Sequence, residues 1–171
     1  MLRLTTRLAL LLAVFTFAAV GYAQSAVYAA LNTSLDSSST KVGDTVSAKL
    51  RSSVKLPDGT KLPQDTVLTG HVTAVKAENP DSIAFVFDKA VNEDGTIDVH
   101  VVVRRLDIPP VNSEDTNDDP RDIKKDGPLV SKLRNITLQS ASENESAVVV
   151  GKGKSLRLEY KTLLGCLISK S

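Results

Sequence analysis

The sequence predicts an all-β protein: a single β-barrel or sandwich domain of about 8–9 short strands with one long acidic loop. Three observations predict it. Apolar residues recur mainly with a period of two, the period of a half-buried strand. Turn-forming clusters punctuate the chain at short, regular spacing. At 171 residues, with 42% hydrophobic and 24% charged residues, the chain suits one packed domain and is too short for two.

The first 23 residues read as a separate element. Arg3 and Arg7 precede an apolar run from Leu8 to Val20, and Gly21-Tyr22-Ala23 supplies small residues for cleavage. That is the layout of a secretory signal peptide, and the run is shorter than the roughly 20 residues of a membrane span. Cleavage after Ala23 would leave 148 residues, 24–171, with 19 basic and 20 acidic side chains. The expected product is periplasmic or secreted, with no membrane span after cleavage.

Val27 to Leu35 fits a helix at every fourth residue and a strand by alternation; the all-β context selects a strand. Val46, Ala48, Leu50, Ser52 and Val54 alternate with polar neighbours, and Pro57-Asp58-Gly59 follows as a turn. Thr66 to Lys76 is β-rich and is broken by Glu78-Asn79-Pro80-Asp81. Ser82 to Val91 places Ile83, Phe85 and Phe87 on one face. Asn92-Glu93-Asp94-Gly95 is a hairpin signal. Thr96 to Leu106 places Ile97, Val99, Val101 and Val103 on one face, with His100 and Val102 on the other.

Residues 107–128 break the pattern. The stretch 112–126 holds six acids, three bases and Pro120, and reads as a mobile, exposed acidic loop. Strand candidates resume at Leu133–Gln139, Ala147–Val150, Ser155–Tyr160 and Leu163–Ile168, with Gly151-Lys152-Gly153-Lys154 as a turn. Residues 151–171 carry five bases and one acid, read as solvated charges that discourage edge-to-edge pairing.

One stretch carries a family likeness. Leu31-Asn32-Thr33-Ser34-Leu35 leads to Val42-Gly43-Asp44 and a strand opening at Val46. Pro63, Thr66 and Gly70 then bracket a turn and a strand, and Phe85 to Val91 leads to Asp94-Gly95. This order resembles the C-terminal β-barrel domain of TrbI-like conjugative type IV secretion channel scaffolds. It is also similar to short secreted bacterial proteins of unknown function that share that barrel. In the family a Pro-Lys-Gly-Ser/Thr turn precedes a strand ending in Gly; here Gln64 and Asp65 replace Lys-Gly. The resemblance covers about 75 of the 148 residues, from Leu31 to Leu106, and implies a β-barrel. The scaffolds also carry a membrane anchor and, after the Asp-Gly turn, a helical pair that inserts in the outer membrane. The charged 107–128 stretch stands in that place and is too polar to cross a bilayer.

Composition and motifs narrow the chemistry. A single cysteine excludes an internal disulfide and a Cys-rich zinc site. Aromatics at 4% argue against a base-stacking platform, and a net charge of +1 argues against a nucleic-acid partner. His71 and His100 lack metal-ligand spacing and read as strand residues. Cys166, within Leu163-Leu164-Gly165-Cys166-Leu167-Ile168, reads as a small buried hydrophobe rather than a reactive thiol. Asp115, Asn117, Asp119 and Asp126 match positions one, three, five and twelve of a calcium loop. Pro120 stands where the turn needs Gly, and Asp126 where it needs Glu, so the fit is poor. The Gly151–Lys154 turn lacks the longer phosphate-loop pattern, and the sequons at Asn32, Asn135 and Asn144 matter only in a eukaryotic secretory pathway.

The reading assigns no catalytic, cofactor-binding or metal-binding residue and no cofactor. It expects an exported, non-catalytic module of the bacterial envelope or exterior that binds another protein by surface or edge-strand contact. The alternatives are a subunit of a secretion or conjugation assembly and an enzyme of unrecognised type.

Overall fold

A computed structural model of the chain describes residues 24–108, 119–153 and 155–171. The expected signal peptide (1–23), residues 109–118 of the expected acidic loop, and Lys154 lie outside the described residues.

Thirteen strands are described. Eight have four residues or more: β1 (Ser25–Leu31), β3 (Thr45–Leu50), β6 (Val67–Lys76), β7 (Ser82–Asn92), β8 (Gly95–Asp107), β10 (Ile136–Gln139), β11 (Ala147–Gly151) and β13 (Leu163–Lys170). The other five are two-residue pieces: β2 (Leu35–Asp36), β4 (Val54–Lys55), β5 (Lys61–Leu62), β9 (Val130–Ser131) and β12 (Arg157–Leu158). The expected all-β class holds, and of the two architectures the chain adopts the barrel. Six strands close it in the order β1-β3-β6-β7-β8-β13, with β13 returning antiparallel to β1.

Alternation builds the interior. Val46, Ala48 and Leu50 of β3, Phe85 and Phe87 of β7, and Val99, Val101 and Val103 of β8 are all buried. The two phenylalanine rings meet edge-to-face at 5.4 Å. A small barrel is filled by its own side chains, and each buried Leu or Phe stabilises the fold by about 1.5–3 kcal/mol.

The short strands close the ends. The hairpin β4–β5 turns at Gly59, where φ is +93°, and sends Val54, Leu56 and Leu62 into the core. At the opposite end β2 pairs with β12, and Leu35, Leu156 and Leu158 join the same core. The sequence reading ran the third strand on to Val54 and the twelfth across Ser155–Tyr160. Both are shorter, because these end caps need the chain to leave the wall.

The wall is split at one place. β7 and β8 pair only from Lys89–Asp98 to the hairpin at Asn92–Gly95. Beyond it β7 pairs with β11, and β8 takes the short parallel strand β9. Ser146, fully buried, spans the split. Its N–H donates to the Phe85 carbonyl (2.9 Å), and its carbonyl accepts from the Val103 N–H (2.8 Å). Its hydroxyl oxygen accepts from the Phe87 N–H at 2.9 Å.

Gly70, which the family likeness would put at a strand's end, sits inside β6 at a register shift. A Cβ there would overlap the Val86 carbonyl and come within 2.8 Å of the Phe87 Cα. Only glycine lets β6 and β7 approach this closely.

Candidate functional site

The described residues bring one set of charged side chains together on the outer wall, around Arg104 and Arg105. In a regular strand two consecutive residues face opposite sides. Here Gly165 of β13 pairs with Arg105 while Cys166 pairs with Val103, so Arg104 is an extra, bulged residue. A bulge of this kind re-aims a side chain, and both arginines lie outside while Val103 and Leu106 stay buried. The sequence reading missed this, since period-two counting puts one of the pair in the core.

A strap made of residues 119–131 crosses this wall. It opens with Asp119, whose carboxylate accepts from the Arg121 backbone N–H (3.0 Å) and pairs with the Arg121 guanidinium (2.6 Å). Pro120–Asp122 form one 3-10 turn. Ile123 then buries itself against Tyr28, Leu163 and Leu167. The space it fills comes from Gly165, which pairs with Tyr28 on one side and Arg105 on the other. A Cβ at Gly165 would meet Arg105 Cβ at 2.9 Å and Ile123 Cγ1 at 3.1 Å.

Charge fixes the rest of the strap. Arg104 Nη2 donates to the Gly127 carbonyl. Arg105 Nε lies 2.6 Å from Asp107 Oδ2, and Lys132 Nζ lies 3.1 Å from Asp107 Oδ1. The hydrogen bond that Arg105 Nε donates to Asp107, with burial opposing it, holds the Arg105 guanidinium above its ordinary range. Val130 and Ser131 complete the strap as β9, paired with Arg105 and Leu106. Between strap and wall is a cleft of about 150 Å³ whose lining includes Arg104, Arg105, Asp122 and Lys124. The Nε of Arg104 is buried and has no hydrogen-bond partner among the described residues.

These contacts revise the expected loop over 107–128. Asp107 ends β8, and residues 119–128 are held to the barrel at Ile123 and Gly127 rather than standing free. Ile123 is one apolar residue in a charged run, a pattern that reads as solvated until a glycine on another strand makes room for it.

The other residues singled out from sequence lie apart. His71 is exposed on β6 opposite Thr45, and His100 is half-buried on β8 opposite Ser169. Among the described residues no group of three His, Cys, Asp or Glu side chains is placed to hold a metal. Cys166 is wholly buried, and desolvation pushes its thiol up to about 12. Of the calcium-loop residues, Asp115 and Asn117 are outside the described residues, and Asp119 is engaged with Arg121. Gly151 ends β11, and Lys152 donates its N–H to the Asn135 carbonyl. A second cleft, about 330 Å³, lies between Pro63–Thr66 and the β7–β8 hairpin, with Asp65 paired to Lys49 at 3.2 Å. Among the described residues no helix is long and apolar enough to cross a membrane.

No protein-family model matches the chain, and no curated protein matches it. Among solved structures it is similar to ComB10 of the Com type IV secretion system of Helicobacter pylori. The identity is 11%, covering 86% of this chain and 85% of that one, with a TM-score of 0.44. At that level the likeness assigns this chain neither a role nor a partner.

Proposed function

We propose that the chain is an exported, non-catalytic β-barrel module of the bacterial envelope or exterior that binds another protein through its outer surface. The observation that carries this reading is the placement of its exposed apolar side chains. Among the described residues Val91, at 37%, stands apart by the β7–β8 hairpin, while Val42, Ile108 and Tyr160 are the most exposed of these, at 64%, 61% and 54%. Antiparallel registers put all three at one end of the barrel. Ile108 follows β8 and Tyr160 precedes β13, which pair at Asp107 and Leu163. Val42 precedes β3, whose first residues lie beyond the Leu31 end of β1. Three strongly exposed apolar side chains at one end of the barrel make that end the candidate for protein contact. The interior is filled and both ends are capped, so recognition falls to the outside. The two clefts, about 150 and 330 Å³, lie below or at the small end of ligand sites.

The test is crosslinking in cells followed by identification of what co-purifies, with the triple variant Val42→Ser, Ile108→Ser, Tyr160→Ser beside the natural chain. The expected result is a partner recovered with the natural chain and lost with the variant at an unchanged melting temperature. Recovery of the chain alone, or equal recovery with both, overturns the reading.

A second reading, a subunit of a secretion or conjugation assembly, is favoured by the TrbI-like resemblance over Leu31–Leu106. Its quoted turns, Val42–Asp44, Pro63–Thr66 and Asp94-Gly95, fall between or at the edges of strands. Stoichiometric recovery of envelope machinery in the same experiment would select it.

A further inference from the structure

We propose that the cleft between the strap and β8 binds a small oxyanion, a carboxylate or phosphate group, with Arg104 as its principal contact and Lys124 as its second. Three observations carry the site. The bulge places two successive arginines on one face, which a regular strand cannot do. Gly165 leaves the room that lets Ile123 and the strap close over that face, forming the opposite wall of the cleft. Finally, the Arg104 Nε–H is buried and has no acceptor among the described residues. A guanidinium is always charged, and a buried charged donor without an acceptor costs far more than a neutral one.

The neighbours set the charge of the site. Arg105 is already engaged by Asp107, so it contributes field more than a free donor. Arg104 gives one Nη to Gly127 and keeps Nε without an acceptor. Lys124 is exposed on the rim and makes no ion pair among the described residues. Asp122, also in the lining, opposes an anion. With Lys132, which also pairs with Asp107, the cations Arg104, Arg105 and Lys124 outweigh Asp122 and Asp107 together by two positive charges. A volume of about 150 Å³ is too small for a nucleotide-sized ligand and suits a single charged group. Planar, forked donors such as Arg104 match carboxylate and phosphate oxygens.

This inference does not rest on the protein-binding reading, and either can fail alone. The experiment compares the thermal midpoint and the Arg104 Nε–Hε resonance of the protein in sodium chloride, sodium phosphate and sodium acetate at equal ionic strength. A bound ion raises the midpoint by mass action. The expected result is a saturable rise in midpoint and a moving Arg104 resonance with phosphate, acetate or both. Movement with phosphate alone assigns a phosphate group, and movement with acetate assigns a carboxylate. Arg104→Met should abolish the effect, and Lys124→Met should weaken it by about tenfold. Lys124 is exposed, so that variant keeps the test valid if Arg104→Met does not fold. No response beyond chloride, or a response unchanged by Lys124→Met, overturns the proposal.

Discussion

Gly165 stands directly across from Arg105 in the β8–β13 ladder, and a Cβ at 165 would lie 2.9 Å from the Arg105 Cβ. That one missing side chain explains two features at once. It makes room for the Arg105 Cβ, and it leaves the hollow that Ile123 fills. Gly165→Ala is therefore expected to destabilise by about 1–3 kcal/mol through overpacking. Pairing it with Ile123→Ala should cost less than the sum of the two single changes, because truncating Ile123 relieves part of the crowding that the new methyl group creates. Denaturant unfolding of the four proteins in the cycle checks this; strict additivity would show that Ile123 does not depend on Gly165.

Ser146 is the joint where the barrel wall divides. Its hydroxyl oxygen is the acceptor for the buried Phe87 N–H at 2.9 Å. Ser146→Ala leaves that N–H without a partner in the core, at an expected cost of about 1–3 kcal/mol. The midpoint of denaturant unfolding should fall with an unchanged slope. A midpoint equal to that of the natural chain would mean that the Phe87 N–H finds another acceptor.

How far these features were legible in the sequence depends on whether they follow a local period. The long strands do. Thr45–Leu50 alternates cleanly, as do residues 85–88 of β7 and 99–103 of β8, because one face of each meets the core, and the Asn92–Gly95 hairpin carries its own turn residues. The candidate site does not. Arg104 and Arg105 share a face only because β8 bulges, and a bulge is set by pairing with β13, some 60 residues away in sequence. Ile123 is buried by a glycine at 165, and Ser146 by two strands that part from each other. Two-residue strands such as β2 and β12 form because Leu35 and Leu158 must close the barrel end, and no window of local sequence announces that.

Gly70 offers the sharpest steric test. A methyl group there would overlap the Val86 carbonyl, which belongs to the β7 backbone and cannot swing aside as a side chain can. Gly70→Ala is expected to cost more than about 4 kcal/mol or to prevent folding. Circular dichroism and a thermal melt of the purified variant would decide it. A melting temperature within a few degrees of the natural chain would show that β6 and β7 can separate at this point.

Cys166 ties stability to alkaline pH. Burial raises its thiol from an ordinary 9.0 to about 12 in the folded chain. The folded state therefore holds a proton that the unfolded state has released once the pH passes about 9. The stabilisation is fully present below that pH. It then declines by up to about 1.4 kcal/mol per pH unit until the folded thiol itself ionises. Lysine and tyrosine side chains titrate in the same range, so the comparison is with Cys166→Ala, whose stability should fall less steeply between pH 9 and pH 11. The same burial should keep the native thiol silent to a thiol-specific reagent at pH 8, with full reaction after unfolding. Rapid labelling of the folded protein would mean that the wall opens at β13 far more often than the packing around Leu164 and Ile168 implies.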